Sequence, residues 1–328
     1  MIGKVVNKVI LARPSGFCAG VRRAVEILDK CLEMYGTPLY VKHKIVHNQR
    51  VVADMEKRGV IFVENIEEVP YSSNVVFSAH GVSKEVEKKA EERKLRIIDA
   101  TCPLVKKVHK KVEKISNSET YELIVIGSAK HPEIIGTIGR IPEYVRYHII
   151  SSIDDAKSLS ISNTNVRYIT QTTLSLDETQ EIVKILEKRF SSVEKEQGVD
   201  ICYATQNRQD GVKKLIEVVD VILVIGSAIS SNSNSLVKVG SYYNKKTFLI
   251  DSLERLEALY DTILYIRKCM NKPIDIGITA GASTPDVTIA EIVNSLQKRY
   301  KGVKYEELDV HSEDGIIFKI SHKFYNSK

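Results

Sequence analysis

What most constrains this chain is a regular alternation of short strand-like apolar runs with stretches in which apolar residues recur at helical spacing. Val9-Ile-Leu11 precedes a helical pattern from Val21, and Val75-Val-Phe77 precedes a Glu/Lys-rich one. Leu123-Ile-Val-Ile126 and Val221-Ile-Leu-Val-Ile225 continue the series. Strands that alternate with helices pair in parallel through crossovers, so the pattern predicts α/β architecture with mainly parallel sheets. At 328 residues with 43% hydrophobic side chains, the chain can bury a core of that kind. No apolar run approaches the roughly 20 residues of a membrane span, and none is expected. Lys8 and Arg13 bracket Val9 to Leu11 too tightly for a signal sequence. The segment reads as a first strand, and the protein as cytoplasmic.

Inside the alternation lies a loose repeat. Cys18 is followed by Ala-Gly-Val-Arg-Arg, Cys102 by Pro-Leu-Val-Lys-Lys, and Cys202 by Tyr-Ala-Thr-Gln-Asn-Arg with a helical pattern near Gly211. Each cysteine stands at or just before a predicted helix start, and the intervals between them suit one small α/β unit each. The expected units are 19–102, 103–200 and 201–328, the last completed by the N-terminal strand 1–18. Three such units could converge on a centre.

Five cysteines, an odd number without close pairs, argue against a disulfide framework. Cys31 falls on an apolar helical face and Cys269 lies in no motif, so both read as packing residues. Cys18, Cys102 and Cys202 are one thiolate short of a closed iron–sulfur or zinc site, and a site with an open position can act on a substrate. Scattered cysteines are also compatible with purely structural roles, but a helix start stabilises a thiolate. The net charge of +6 is dispersed among acidic residues, which suits a small anionic substrate and gives no nucleic-acid tract.

Several apolar runs end in small and hydrogen-bonding residues, where α/β sheets bind ligands. These ends carry His80 in Ser78-Ala-His80-Gly81, His131 in His131-Pro-Glu133, Ser230, Ser231 and Asn232, and Ser283 after Gly281. With His47 in Ile45-Val-His47-Asn48, they are candidate donors to an anion; a lone histidine is more often an ordinary surface or core residue, but three beside Gly, Asn or Pro shift that balance towards a common site. Glu133 is the candidate acid and Thr172, in Thr170-Gln-Thr172-Thr, the side chain expected to orient it; the alternative is a solvated loop glutamate.

Taken together and in order, GFCAGVRRAV from Gly16, IVHN from Ile45, FSAHGVS from Phe77, DATCPLV from Asp99, HPE from His131, TQTTLS from Thr170, CYAT from Cys202, NRQ from Asn207, SSNSN from Ser230 and TAGAS from Thr279 resemble one family. It is the IspH/LytB family of 4-hydroxy-3-methylbut-2-enyl diphosphate reductases, and the likeness runs from about residue 9 to residue 290. The resemblance implies three similar α/β units arranged pseudo-threefold around a central [4Fe-4S] cluster held by Cys18, Cys102 and Cys202. It implies that His47, His80, His131, Ser230, Ser231, Asn232 and Ser283 hold the diphosphate, that Thr172 contacts substrate near the acid, and that Glu133 delivers protons. The implied reaction is the two-electron reductive dehydroxylation that ends the non-mevalonate isoprenoid pathway, giving isopentenyl and dimethylallyl diphosphate. No G-x-G-x-x-G fingerprint is present, so electrons are expected from a ferredoxin or flavodoxin.

The chain departs from the family pattern in Ser128-Ala-Lys130 before His131, in Ser15 and in Gln206. From about Lys301 it matches poorly, and Gly315-Ile-Ile-Phe-Lys-Ile320 is expected to form a strand. Quinolinate synthase would match the cysteine count but not HPE, TQTT or SSNSN, and a cluster-based redox sensor would bind without turning over.

Overall fold

In a computed structural model, residues 4–115, 121–161, 165–195 and 200–320 are described. The elements in chain order are β1 (Val6–Arg13), α1 (Ala19–Tyr35), β2 (Leu39–Lys42), α2 (Gln49–Lys57), β3 (Val60–Val63), β4 (Asn74–Phe77), α3 (Lys84–Glu92) and β5 (Arg96–Asp99). Next come α4 (Pro103–Glu113), β6 (Glu122–Ile126), α5 (Pro132–Ile138), β7 (Tyr147–Ile150), α6 (Ile153–Ser158), β8 (Asn165–Thr170), α7 (Leu176–Arg189) and β9 (Ser192–Lys195). The last stretch holds α8 (Tyr203–Val218), β10 (Val221–Ile225), α9 (Ser231–Tyr242), β11 (Lys246–Ile250), α10 (Leu253–Ala258), α11 (Tyr260–Met270), β12 (Ile274–Ala280), α12 (Asp286–Arg299) and β13 (Lys304–Asp309).

Two compact units divide the chain, one of residues up to 18, 47–49 and 203–316, the other of 19–46, 50–202 and the segment from 317. The first unit holds one sheet, ordered β11-β10-β12-β1-β13, and the second holds two, ordered β3-β2-β4-β5 and β7-β6-β8-β9. Every strand pair is parallel, as the alternation predicted. Three small α/β units are thus built on one plan. Each sheet places its second strand outside the first, then crosses to the other side for the third and fourth. The first unit's sheet differs only in that β1 is inserted between β12 and β13.

Packing follows from the two-residue period of a strand. In β10, Val221, Leu223 and Ile225 enter one apolar cluster, while Ile222 and Val224 enter another on the opposite face. All five are fully buried, which is why the run reads as continuously apolar. β1 divides likewise, Val9 and Leu11 to one face and Ile10 and Ala12 to the other.

The tail departs from expectation. Residues 315–320 form no strand: Gly315 turns at φ +77, Ile317 is 77% exposed, and no buried face exists to hold the segment flat. The strand lies earlier, at β13, and pairs with β1 from Lys8↔Lys304 to Arg13↔Asp309. Its Lys-Tyr-Glu-Glu-Leu-Asp sequence is mostly exposed, so it carries no apolar signal.

Candidate active site

Crossing from one side of a sheet to the other opens a crevice beyond the carboxyl ends of the central strands. In the second unit's later sheet that point falls between β6 and β8, and the segments leaving them carry His131, Glu133 and Thr172. Glu133 is 3% exposed. Its Oε1 accepts the Thr172 backbone N–H at 2.6 Å and its Oε2 accepts the Thr172 hydroxyl at 2.9 Å. Burial pushes the Glu133 carboxyl up to about 7 against the two Thr172 hydrogen bonds, which favour the anion, and the negative charge of Asp200 adds to the rise. A carboxyl so placed carries a transferable proton near neutrality.

His131 caps α5, its Nδ1 accepting the Glu133 backbone N–H at 3.2 Å. A neutral ring whose Nδ1 accepts must carry its proton on Nε2, leaving that nitrogen as a donor. The His80 ring meets the His131 ring edge to face, centroids 5.5 Å apart, and Ser78 Oγ lies 3.4 Å from His80 Nδ1.

Backbone hydrogen bonds anchor the two cysteines of this unit. Cys102 stands at the N-cap position of α4 and its N–H donates to Ala79 O at 3.0 Å, one residue from His80. The Cys202 N–H donates to Thr172 O at 3.0 Å, tying that cysteine to the segment that holds Glu133.

In the first unit the corresponding crevice lies between β10 and β12. Ser230 caps α9 by accepting the Ser233 N–H at 3.3 Å, and Ser231 begins the helix, half-buried. Asn232 accepts the Ala282 N–H at 2.8 Å and donates to Thr205 Oγ1 at 3.2 Å. Ser283 donates to the His47 carbonyl at 3.2 Å. The Cys18 N–H donates to Ala282 O at 3.1 Å. Before it, Gly16 adopts φ +77, and a Cβ there would stand 2.9 Å from Asp286 Oδ1 and 3.1 Å from Thr284 O. Only glycine lets the chain turn there into the cysteine.

The three cysteines are half-buried and outside any disulfide, and each immediately precedes a helix of 11 to 17 residues. Soft thiolate donors at helix starts fit an iron–sulfur cluster. Cys31 differs: it is fully buried in the core and burial pushes its thiol up to about 12. Cys269 does not pack, contrary to its sequence reading; it is exposed on α11, whose buried residues are Ile263 and Ile266.

Several residues of these loops carried no readable signal. Gln171, 1% exposed, accepts the Ser128 N–H at 3.2 Å and donates to Thr173 Oγ1 at 2.8 Å, bracing the β6 and β8 segments. Asp200 accepts the Thr170 N–H at 3.0 Å and pairs with Lys111. Arg208, within the NRQ motif and 1% exposed, donates to Gly16 O at 2.7 Å and to Glu313 Oε1 at 3.0 Å. Only the position of Arg208 inside a recognisable motif could have singled it out.

A family model described as LytB protein matches residues 9–297. The chain is 45% identical to the 4-hydroxy-3-methylbut-2-enyl diphosphate reductase of Nitrosomonas europaea over 92% of each chain. It is 43% identical to that of Wigglesworthia glossinidia brevipalpis over 95% of each. Its fold matches the solved E-1-hydroxy-2-methyl-but-2-enyl-4-diphosphate reductase from Plasmodium falciparum with a TM-score of 0.88, 36% identity and 98% coverage of both chains. A second solved structure, (E)-4-hydroxy-3-methyl-but-2-enyl diphosphate reductase, the terminal enzyme of the non-mevalonate pathway, aligns with a TM-score of 0.61 and 30% identity, covering 89% of this chain and all of that one.

Proposed function

The chain belongs to the LytB protein family, and from that premise we propose that it reduces 4-hydroxy-3-methylbut-2-enyl diphosphate to isopentenyl and dimethylallyl diphosphate. The observation that carries this reading is Glu133, a buried carboxyl held by Thr172 and raised to about 7, on the same short segment as His131. Removing a hydroxyl as water requires a proton donor, and the buried Glu133 carboxyl is placed to be one.

Cys18, Cys102 and Cys202 would hold a [4Fe-4S] cluster, which when bound supplies single electrons and a Lewis-acidic iron. His47, His80, His131, Ser230, Ser231, Asn232 and Ser283 bind the diphosphate. The Nε2–H that the His131 cap geometry enforces donates to a phosphate oxygen, strongly because the acceptor is charged. Thr172 holds the Glu133 carboxyl in place through both oxygens and contacts substrate beside it. Glu133 gives its proton to the departing hydroxyl. The electrons come from a ferredoxin or flavodoxin, since the chain has no dinucleotide fingerprint.

The same reading divides the chain into units 19–102, 103–200 and 201–328 completed by strand 1–18, which the repeated strand order supports. No helix among the described residues is long and apolar enough to cross a membrane, and the reading places the enzyme in the cytoplasm.

The test is anaerobic reconstitution with iron and sulfide, followed by reduction of the substrate with dithionite. The two isopentenyl-type products are expected; a reconstituted protein that forms neither overturns the reading.

A further inference from the structure

The three helices that begin at a cysteine differ in what they show to solvent. On α1 the exposed side chains are Arg22, Glu26, Glu33 and Met34, and on α8 they are Lys214, Glu217 and Val218. Both faces are mixed in charge. On α4 the exposed side chains are Lys107 and Lys110, continued by Lys114 at its C-cap, with no acid among them. Spacings of three and four residues put them on one side of the helix, in a stripe roughly 10 Å long at 1.5 Å per residue.

Among the described residues, three acids on or beside α4 are already engaged. Asp99 pairs with Lys106 at 2.5 Å, Asp200 pairs with Lys111, and Glu113 is held by Arg140 at 2.7 Å. Among the described residues, the ammonium groups of Lys107, Lys110 and Lys114 pair with no carboxylate and donate no hydrogen bond. Three like charges aligned on one helix repel one another, a cost that an anionic surface laid against them would remove.

Resting on the reductase reading, we propose that the Lys107–Lys110–Lys114 face of α4 is the docking surface for an acidic one-electron carrier protein. Two features favour this occupant. The stripe lies on the helix headed by Cys102, with Lys107 roughly 7–8 Å along the axis from that cysteine, so a partner seated there stands beside a candidate cluster ligand. The face also lacks aromatic side chains, which single-stranded nucleic acid would use for stacking. Each encounter oxidises one reduced carrier by one electron. Two encounters with two protons convert the substrate R–OH to R–H and water.

The test compares holoenzyme carrying Lys107→Glu, Lys110→Glu and Lys114→Glu with a control carrying the same charge change at exposed sites elsewhere, Lys57→Glu, Lys184→Glu and Lys188→Glu. The measurements are the affinity for a reduced [2Fe-2S] ferredoxin, the ferredoxin-driven rate and the dithionite-driven rate, at low and high salt. The expected result is a loss of about tenfold or more in ferredoxin affinity and rate for the α4 variant, with loss of salt sensitivity, while its dithionite rate and the control stay within about twofold of the parent. Equal behaviour of the α4 variant and the control with ferredoxin overturns the proposal, as does a parent whose ferredoxin rate ignores salt. Should the triple variant lose its cluster, Lys107→Gln, Lys110→Gln and Lys114→Gln taken singly decide: a stepwise fall with ferredoxin alone supports the face, and none overturns it. A parent inactive even with dithionite would instead overturn the reductase reading, and the docking with it.

Discussion

At Glu133, burial drives the carboxyl toward its neutral form while two hydrogen bonds from Thr172 favour the anion, and burial prevails. Glu133→Gln keeps the size but removes the transferable proton. Turnover with dithionite should fall about 10²- to 10⁴-fold, with cluster absorbance and substrate affinity nearly unchanged. The pH dependence has a defined sign. A raised carboxyl binds a proton in the folded state that the unfolded chain releases near 4.5, so its stabilising contribution is complete below 4.5 and falls away as pH rises to about 7. The proton-donating form of the folded enzyme is lost as pH passes about 7, so the parent's rate should decline above that value. In urea titrations the Glu133→Gln variant should lack the decline in stability between those values, and an unaltered decline would locate it elsewhere. Among the cysteines, Cys18→Ser, Cys102→Ser and Cys202→Ser should each abolish the cluster's visible absorbance, whereas Cys31→Ser and Cys269→Ser should retain it; loss of iron from Cys31→Ser would refute the ligand assignment.

Between elements, α5 with its His131 cap meets the loop that follows His80 at very short range. A Cβ on Gly139, the C-cap of α5, would fall 2.3 Å from Ser83 Cβ. Lys84 N–H donates to Gly139 O at 3.4 Å, and Arg140 Nε donates to Val82 O at 2.9 Å. Gly139→Ala should therefore push α5 away from that loop, costing about 1–3 kcal/mol and raising KM as the His80–His131 pair opens. Ser83→Gly removes the opposing atom and, at an N-cap, costs only a few tenths of a kcal/mol. The double substitution should recover KM and denaturation midpoint, and failure to recover would show that the joint does not set the pair. What the sequence made legible here follows from local chemistry. Helix starts at Cys18, Cys102 and Cys202 and the β6 and β10 runs are visible because each is set by neighbours within a few residues. The hydroxyl of Ser230 was read for an anion, but its oxygen also caps α9, a demand that every such serine at a helix start can meet. β13 and the bracing by Gln171 stayed hidden because an exposed edge strand needs no apolar alternation and a buried amide leaves no periodic trace.

For the molecule as a whole, the least legible contacts span the longest stretches of chain. Arg208 joins Gly16 O, just ahead of Cys18, to Glu313, beyond the last strand. Glu313→Ala would leave the guanidinium buried with its charge uncompensated, and should destabilise the protein by about 3–5 kcal/mol in denaturant titrations. A smaller change than about 1 kcal/mol would mean that Ala204 and Gly16 carbonyls alone satisfy Arg208. The insertion of β1 between β12 and β13 bears on how the chain is made. A ribosome releases β1 first, yet its neighbours Ile274–Ala280 and Lys304–Asp309 emerge last. At about 5–20 residues per second, the Val-Ile-Leu-Ala segment waits on the order of ten seconds to a minute with both edges open. The strands β2–β9 can pair during that interval, because all their partners have already emerged. An apolar strand with both edges open invites pairing with other chains, and for β1 that exposure ends only once β12 and β13 have been made.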